Sequence, residues 1–270
     1  MNTREFLNIL HIAERLKDIT RHCTTSKRRV ESVAEHSWRV SLMASLLRSE
    51  FPDVDMDKVV NMCLIHDLGE CFTGDIPAFD KTDQDRDIED ALLDEWVESL
   101  PKEVSDYMKA LYAEMNAQET KESKLYKALD KLEALIQHNE SPIDTWSENE
   151  YELNKTYAFE NVEFSEWLMQ LRKDILQDTI DKIESEKPDI QNFTAGLDRL
   201  HTTKMGAERI KGNLKLDCDD VVLWCKQKIM DKDAVISRQG KNWYIKIAGC
   251  EITVNAKSYT IITAHKIYKN

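Results

Sequence analysis

The first two thirds of the chain carry hydrophobic residues at helical spacing. Ser32 and Glu35 stand three residues apart, as in a capping box, and predict a helix that begins near Val33. Its apolar face is formed by Val40, Met43, Ala44 and Leu47. Further helices are predicted to end near Leu68, with Gly69 as the stop, and to span 91–100, 102–118, 121–139 and 163–186. This pattern predicts an all-helical domain over residues 1–187.

Two stretches between these helices are expected to be irregular. The acidic run from Asp80 to Asp90 predicts a solvated loop, and residues 140–160, rich in Asn and Glu, predict an irregular connection. Thr73-Gly74-Asp75-Ile76-Pro77 has the composition of a turn. Pro188 is expected to end the last helix, and the first domain with it.

The period of the pattern changes after Pro188. Residues 203–212 and 218–230 predict two helices, and from Ala234 onward β-branched and aromatic residues predict short strands. Gln239-Gly240, Ala248-Gly249 and Asn255-Ala256 have the composition of the turns between those strands. The fold class is therefore mainly α: a helical domain followed by a small α+β module, residues 196–270, with an antiparallel sheet.

Polar groups inside apolar runs are the strongest chemical feature of the sequence. His66-Asp67 follows Cys63-Leu64-Ile65, and His36 lies 30 residues upstream. Asp130, 64 residues after His66, stands in a predicted helix whose apolar residues cover most of its circumference. Burying such groups is costly unless a partner compensates them. A divalent metal provides that partner, because it accepts neutral imidazoles and ionised carboxylates together.

The order His36 … His66-Asp67 … Asp130 resembles the HD-domain metallohydrolase superfamily. Gly69-Glu70, Thr73-Gly74-Asp75-Ile76-Pro77 and Glu31-Ser32-Val33-Ala34-Glu35 extend the similarity to the 5'-deoxynucleotidase subgroup, over residues 1–187. The resemblance implies a helical HD fold with one divalent metal on those four residues. Their mixed nitrogen and oxygen donors favour Mn, Co, Fe, Ni or Zn. The implied reaction removes the 5'-phosphate of (deoxy)nucleoside monophosphates.

The resemblance also implies roles for residues around the metal. Glu70 matches a glutamate implicated in proton transfer, and Asp75 an acidic position that binds substrate or positions water. Arg21 matches a substrate-binding arginine, which can hold two phosphate oxygens at once. Lys27, Arg28 and Arg29 are alternative cations in the same loop. His22 stands where the best-known deoxynucleotidases have a tryptophan that selects deoxyribose, so sugar and base selectivity are open.

Charge divides the chain unevenly. The net charge is −13, yet residues 196–270 hold 14 Lys and Arg against 8 Asp and Glu. The acidic first part would repel nucleic acid, so a small nucleotide suits it better, and nucleic acid is a possible partner only for the C-terminal module. Leu200-His201-Thr202-Thr203 and Thr260-Ile261-Ile262-Thr263-Ala264-His265 resemble an uncharacterised bacterial domain family of unknown function.

Cysteine usage and hydropathy indicate the cellular setting. The six cysteines form no Cys-x-x-Cys pair, which favours a reduced, cytoplasmic protein. No apolar run approaches the ~20 residues that span a bilayer, and the N-terminus lacks the apolar core of a signal peptide. We expect no membrane contact. The family resemblance also implies a homodimer.

Two other functions are compatible with these residues. The first is a different HD activity, such as phosphodiesterase action on a cyclic nucleotide or an alarmone. The second is a nucleotide sensor that regulates a basic, nucleic-acid-binding C-terminal module. The first would spare monophosphates, and the second would bind nucleotides without turnover.

Overall fold

The computed structural model describes residues 1–77, 80–239 and 241–267, with only the backbone described at 186–189 and 239. The chain divides into two compact units, Met1–Ile180 and Asp181–Asn270. The first is helical apart from one small hairpin, and the second combines helices with an antiparallel sheet. The predicted fold class is confirmed. Among the described residues, no helix is both long and apolar enough to cross a lipid bilayer.

The first unit is a succession of helices interrupted by one hairpin. Strands β1 (Thr20–Thr24) and β2 (Val30–Ser32) pair antiparallel, with an irregular register in β1. The helices are α1 (Thr3–Ala13), α2 (Val33–Leu46), α3 (Met56–Ile65), α4 (Glu70–Thr73), α5 (Asp83–Glu98), α6 (Lys102–Ala117), α7 (Lys121–Glu140), α8 (Glu150–Thr156), α9 (Phe159–Val162) and α10 (Glu166–Ala195). Short 3₁₀ turns lie at Glu14–Lys17 and Ile143–Thr145. Helix α10 continues past Ile180 into the second unit, where the 3₁₀ turn Leu197–Arg199 follows it.

Helices α2, α3 and α7 form the centre of the first unit. Side chains from all three make one buried cluster, which includes Val40, Met62, Leu125, Leu129 and Leu132. Helix α7 is apolar around most of its circumference, as the sequence predicted, because other helices surround it. The packing brings the first turn of α2, the end of α3 and the middle of α7 together.

The predicted start of α2 is confirmed. Ser32 and Glu35 form the capping box of α2, and the Asp55 side chain caps α3. Helix α3 ends at Ile65, slightly before the predicted end. Gly69 has a different role from the predicted stop: a Cβ there would lie 2.8 Å from Glu89 Cγ, so glycine allows α5 to approach.

The acidic stretch predicted as a loop is mostly helical, and that prediction was wrong. Helix α5 begins at Asp83, because Thr82 and Asp85 form a capping box that the sequence reading overlooked. The negative charges of Asp83 and Asp85 lie in the first turn of α5, where the helix dipole favours them.

Two further boundaries differ from the prediction. The stretch 140–160 contains α8 and a 3₁₀ turn and leads into α9, rather than being irregular throughout. Helix α10 runs through position 188 to Ala195 instead of ending at Pro188. The residues after the proline stay helical because Ile190, Phe193 and Leu197 recur at helical spacing and pack into the second core.

The second unit follows the predicted order of two helices and a meander. Helices α11 (Lys204–Leu214) and α12 (Val221–Ile229) precede strands β3 (Val235–Gln239), β4 (Asn242–Ile247), β5 (Cys250–Asn255) and β6 (Ile261–Lys266). Each strand pairs antiparallel with the next, in the order β3-β4-β5-β6. Ala248 and Gly249 both have positive φ, as a two-residue hairpin turn requires. Trp243, Ile245, Ile252 and Val254 are buried in the core.

Candidate active site

The structure brings the four predicted metal ligands together. His36 Nε2 lies 3.3 Å from His66 Nε2 and 3.2 Å from Asp130 Oδ1. Asp67 Oδ2 lies 3.1 Å from His66 Nε2 and 3.8 Å from His36 Nε2. His66 Nε2 is 3.5 Å from Asp130 Oδ1. His36, His66 and Asp67 therefore form one close group of donor atoms, and Asp130 Oδ1 lies beside both of its imidazole nitrogens.

Each ligand comes from a position that the local fold holds in place. His36 lies in the first turn of α2, directly after its capping box. His66 caps the C-terminal end of α3, and Asp67 follows in the turn that leads to α4. Asp130 lies in the middle of α7. Since α2, α3 and α7 share one core, the three sequence segments meet.

The donor atoms fit a divalent metal. Two ligands ~2.1 Å from one ion and ~90–110° apart lie ~3.0–3.4 Å from each other, close to the separations found here. His66 Nδ1 is 2.8 Å from the carbonyl oxygen of Cys63, and His36 Nδ1 contacts Glu133 Oε2. Both contacts place the ring proton on Nδ1, so each Nε2 offers its lone pair to the centre.

The ionisation of these groups also favours a cation. Burial alone would lower the pKa of His66, but the neighbouring Asp67 and Asp130 outweigh that effect and raise the pKa to about 10. Burial opposes ionisation of Asp130, yet Lys127 and the two histidines hold the pKa of that carboxyl well below its usual range. The cluster therefore binds positive charge, which a divalent metal supplies more strongly than protons.

Glu133 is a candidate supporting residue of the site that was not predicted from the sequence. Its side chain is fully buried, contacts His36 Nδ1 and lies 3.7 Å from Arg39 Nε. A carboxylate behind a metal-binding histidine fixes the ring orientation and raises its basicity. Its position, three residues after Asp130 on a helix buried almost all round, was a usable sequence feature.

A cavity of about 340 Å³ opens over two of these ligands. All four residues predicted around the metal line it, together with Asp67 and Asp130: Arg21, His22, Glu70 and Asp75. Four further cations, which the sequence reading did not single out, also line it: Lys81, Arg86, Lys127 and Lys131. The cavity thus offers positive charge within an acidic chain.

Arg21 is the predicted cation that reaches the cavity. Its Nε lies 3.7 Å from Glu31 Oε2, and despite burial the surrounding carboxylates raise the pKa of its guanidinium. Arg28 instead donates two hydrogen bonds to Asp144, at 2.7 and 3.0 Å, and Arg29 pairs with Glu35. Lys27 is exposed, and none of the three alternatives is among the described residues that line the cavity.

Glu70 and Asp75 form a carboxyl pair at the cavity wall. Burial raises the pKa of Glu70 to about 10, and the charges of Asp67 and Asp75 add to the shift. Burial also raises the pKa of Asp75, while a side-chain hydrogen bond with Glu70 lowers it. Gly74, with φ +79°, makes the turn that precedes Asp75. Glu70 therefore carries a proton at neutral pH.

His22 is grouped with other side chains rather than standing alone at the cavity. Its Nε2 lies 3.1 Å from His138 Nε2 and 3.1 Å from Glu150 Oε1. Cys23 Sγ is 3.7 Å from the same nitrogen. Nothing in the sequence around His22 predicts this group, because His138 and Glu150 lie more than a hundred residues away along the chain.

Two family models match the chain. One, described as "HD domain", covers residues 13–172, and the other, described as "Protein of unknown function (DUF3781)", covers residues 194–265. Both resemblances noted in the sequence are therefore confirmed, and together the models account for most of both units.

Several relatives are 5'-deoxynucleotidases. The human 5'-deoxynucleotidase HDDC2 is 30% identical over 142 residues, which are 51% of this chain and 68% of that protein. A 5'-deoxynucleotidase from Enterobacter sp. strain 638 is 28% identical over 190 residues, covering 64% of this chain and 94% of that protein. A similar crystal structure is that of a predicted metal-dependent phosphohydrolase from Magnetospirillum magnetotacticum. It has 25% identity and a TM-score of 0.59, and covers 66% of this chain and 93% of that one.

Proposed function

We propose that this chain, which belongs to the HD-domain family, removes the 5'-phosphate of deoxynucleoside monophosphates in a metal-dependent reaction. The observation that carries the proposal is the set of four convergent donors beside a cavity that also holds cations and a protonated carboxyl. The human and Enterobacter relatives, both 5'-deoxynucleotidases, support the choice of substrate.

His36, His66, Asp67 and Asp130 would hold one divalent metal. Their mixed donors suit Mn, Co, Fe, Ni or Zn better than an ion that prefers oxygen alone. When bound, the metal lowers the pKa of a coordinated water and polarises the phosphate. The protein itself contributes the orientation: Glu133 and the Cys63 carbonyl hold the two imidazole rings with Nε2 toward the centre.

Arg21 would bind the phosphate. Its guanidinium can donate two parallel hydrogen bonds to phosphate oxygens and so neutralise charge that develops during transfer. Lys127 and Lys131 lie on the same cavity wall, although Lys127 Nζ also donates to Asp130 Oδ2 at 2.9 Å. These cations would attract an anionic substrate into a chain of net charge −13.

Glu70 would supply the proton that the leaving group needs. The departing 5'-oxygen of the nucleoside is a poor leaving group unless it is protonated, and Glu70 holds a proton beside the cavity. Asp75, hydrogen-bonded to Glu70, would orient that carboxyl, and the proton released by the attacking water would restore the acid form of Glu70. The cavity volume lies within the range of small-molecule sites.

The test is phosphate release from a panel of 5'-dNMPs, 5'-NMPs and cyclic or alarmone diesters, after chelation and after adding back Mn or Co. We expect metal-dependent release that favours the 5'-dNMPs. Asp67→Asn should abolish it, whereas Asp57→Asn, a change at an exposed aspartate of α3, should leave it intact. Full release by Asp67→Asn, or cleavage of diesters alone, would contradict the proposal.

We also propose that the protein acts as a homodimer. Helix α1 exposes apolar side chains, Phe6, Leu7 and Leu10, which would support contact with a second copy. Light scattering of the purified full chain should give twice the mass of one chain, and a single-chain mass would refute the dimer.

We also propose that the protein resides in the reducing cytoplasm. All six cysteines are free thiols, five of them buried. Such thiols persist where glutathione keeps proteins reduced. Cell fractionation should find the protein with cytoplasmic markers, and recovery elsewhere would refute the assignment.

A further inference from the structure

A second cluster of potential ligands lies apart from His36, His66, Asp67 and Asp130. It consists of His22, Cys23, His138 and Glu150, named here the second cluster. His138 lies eight residues after Asp130 on α7, which places it ~12 Å farther along the helix. Two imidazoles, a thiol and a carboxylate are a donor set that the proposed phosphohydrolase reaction does not use.

Three ligand atoms of the second cluster, from His22, Cys23 and His138, lie within 4.8 Å of one another, and Glu150 places a carboxylate oxygen beside the two imidazoles. His22 Nε2 lies 3.1 Å from both His138 Nε2 and Glu150 Oε1, and His138 Nε2 lies 3.6 Å from Glu150 Oε1. Cys23 Sγ lies 3.7 Å from His22 Nε2 and within 4.8 Å of His138. A tetrahedral zinc site gives ~3.3 Å between nitrogen or oxygen donors and ~3.6 Å from nitrogen to sulfur.

Strand β1 places two neighbouring side chains on the same side. Adjacent residues of a regular strand point to opposite faces, yet Cys23 Sγ lies close to the His22 ring. The register of β1 against β2 shifts between Thr20 and Thr24, and such irregularities re-aim side chains near sites. Thr24 O accepts hydrogen bonds from Gln137 Nε2 at 2.7 Å and from Ser141 Oγ, which fastens β1 to the end of α7.

The surroundings of the second cluster hold its ligands in place. Ser147 N donates to Glu150 Oε2, which leaves Oε1 directed at the two histidines. Trp146 Nε1 donates to the His138 carbonyl at 3.0 Å. The Ser147 contact orients the Glu150 carboxylate, as outer contacts do in protein metal sites, and the Trp146 contact fixes the backbone that carries His138. Cys23, His138 and Glu150 are buried, whereas the His22 side chain is 29% exposed, which gives an ion a path of entry.

We propose that His22, Cys23 and His138 bind a second metal ion, a zinc-type ion, and that Glu150, beside the two histidines, completes its ligands. A thiolate beside imidazoles selects a soft or borderline ion such as Zn²⁺ over Mg²⁺ or Ca²⁺. One thiolate and one carboxylate neutralise the charge of the ion, which suits a buried position. The ion would join β1, which also carries Arg21, to α7 and α8 beside the cavity.

The protonation of these groups is compatible with the site. Burial lowers the pKa of His138 to about 4, so its ring is neutral near pH 7. Burial raises the pKa of Glu150, but hydrogen bonds from His22 and Ser147 lower it to about 2. Burial raises the pKa of Cys23 to about 12, so the metal must displace the thiol proton, as zinc does in thiolate sites.

This site would change the expected role of His22. With its Nε2 on a metal, His22 would not stack on the sugar or base in place of the tryptophan found in the best-known relatives. It would form part of a rigid wall of the cavity instead. Binding of the second ion is independent of which substrate the cavity accepts.

The experiment is a Co²⁺ titration of the chelated full-length protein, followed by optical spectroscopy. A thiolate-to-cobalt charge-transfer band should saturate at one equivalent. Cys23→Ser should abolish it, and Cys250→Ser should keep it, since a serine hydroxyl at that position can retain the hydrogen bond to the Ile247 carbonyl. Asp67→Asn should also keep the band even though it disables the first site.

Metal analysis gives the second readout. The wild-type protein loaded with Zn²⁺ should retain two ions per chain, while Cys23→Ser and His138→Gln retain one. Absence of the band in the wild-type protein would overturn the proposal without any variant having to fold. A band that persists in Cys23→Ser would overturn it too. A wild-type protein with one ion and no band would show that the second cluster is held by hydrogen bonds alone.

Discussion

At the scale of single residues, Glu133 supports the candidate metal site from inside the fold. It is a carboxylate with no exposed surface, and it contacts the Nδ1 edge of His36 while Arg39 approaches from the other side. An unpaired buried carboxylate would be strongly destabilising. The fold therefore depends on the contacts that Glu133 makes with His36 and Arg39. The orientation of one ligand is therefore set by a residue that does not reach the metal.

Replacing Glu133 should weaken metal binding more than catalysis. Glu133→Gln should lower metal affinity by about 10–100-fold, with activity recovered at high metal concentration. Activity measured as a function of added Mn or Co tests this. Glu140→Gln is the matched control, since Glu140 also pairs with Arg39 but is half exposed. Equal metal affinity in the two variants would show that Glu133 does not support His36.

Replacing Glu70 should affect turnover rather than binding. Glu70→Gln keeps the shape of the side chain but removes its acid, so kcat should fall by about 10²–10⁴-fold while KM and metal content stay near wild type. Glu98→Gln, at an exposed position of α5, serves as the control. An unchanged kcat in steady-state phosphate release would exclude proton transfer by Glu70.

At the scale of elements, the site depends on how helix ends are joined. A hydrogen bond joins the start of α7 to the start of α3: Glu122 Oε1, in the first turn of α7, accepts a hydrogen bond of 2.9 Å from the backbone N–H of Asp55. Asp55 in turn caps α3, the helix whose other end presents His66. A polar contact at one end of α3 thus supports the ligand at the other.

The Glu122 contact predicts a pH-dependent contribution to stability. The hydrogen bond from Asp55 lowers the pKa of Glu122 below 4.5, so the folded state binds this proton less tightly than the unfolded state. The contact therefore stabilises the fold above about pH 4.5, and its contribution is lost as pH falls through the folded pKa. Glu122→Ala should lower Tm at pH 7, with the deficit shrinking toward pH 3. Glu119→Ala, at an exposed residue just before α7, should show no such trend.

The close approach of α4 and α5 gives a second element-scale prediction. Gly69→Ala should destabilise the protein by about 1–3 kcal/mol, because the new Cβ would lie 2.8 Å from Glu89 Cγ. Adding Glu89→Ala should recover part of this loss in a double-mutant cycle measured by denaturant unfolding. Gly212→Ala in α11, where the added Cβ would meet nothing within 4 Å, should be neutral or stabilising. Strict additivity at Gly69 and Glu89 would disprove the clash.

At the scale of the whole molecule, the two units have separate hydrophobic cores. The core around α2, α3 and α7 belongs to the first unit, and the core formed by β4, β5 and the neighbouring helices to the second. The candidate active site lies entirely within the first unit. We therefore expect that mutations can alter the candidate active site and the unknown role of residues 194–265 separately.

A core substitution in the second unit should leave phosphate release intact. Ile252→Ala removes a fully buried side chain and should destabilise the second unit by about 2–5 kcal/mol. Calorimetry should show the unfolding transition of the second unit shifted to lower temperature, with phosphate release from 5'-dNMPs unchanged. Leu129→Ala, the matched change in the first core, should lower both the stability of the first unit and its phosphate release. Loss of phosphate release in Ile252→Ala would show that the second unit supports catalysis.

Helix and strand identity followed from the sequence because the hydrophobic period is a local property. The capping box at Ser32, the cap at Asp55 and the β-meander were all predictable from neighbouring residues. The start of α5 was also a local property, because Thr82 and Asp85 form its capping box within a run whose acidic charge is typical of a solvated loop.

The sequence by itself determined the elements and the residues able to bind a metal, since buried polar groups in apolar runs need a partner wherever they occur. Only the tertiary structure decided which distant groups became partners. Glu133 behind His36, and His138 with Glu150 beside His22, depend on how α7 and α8 pack against β1 and α2. Local periodicity carries no distance between residues a hundred positions apart, and packing of the core sets that distance.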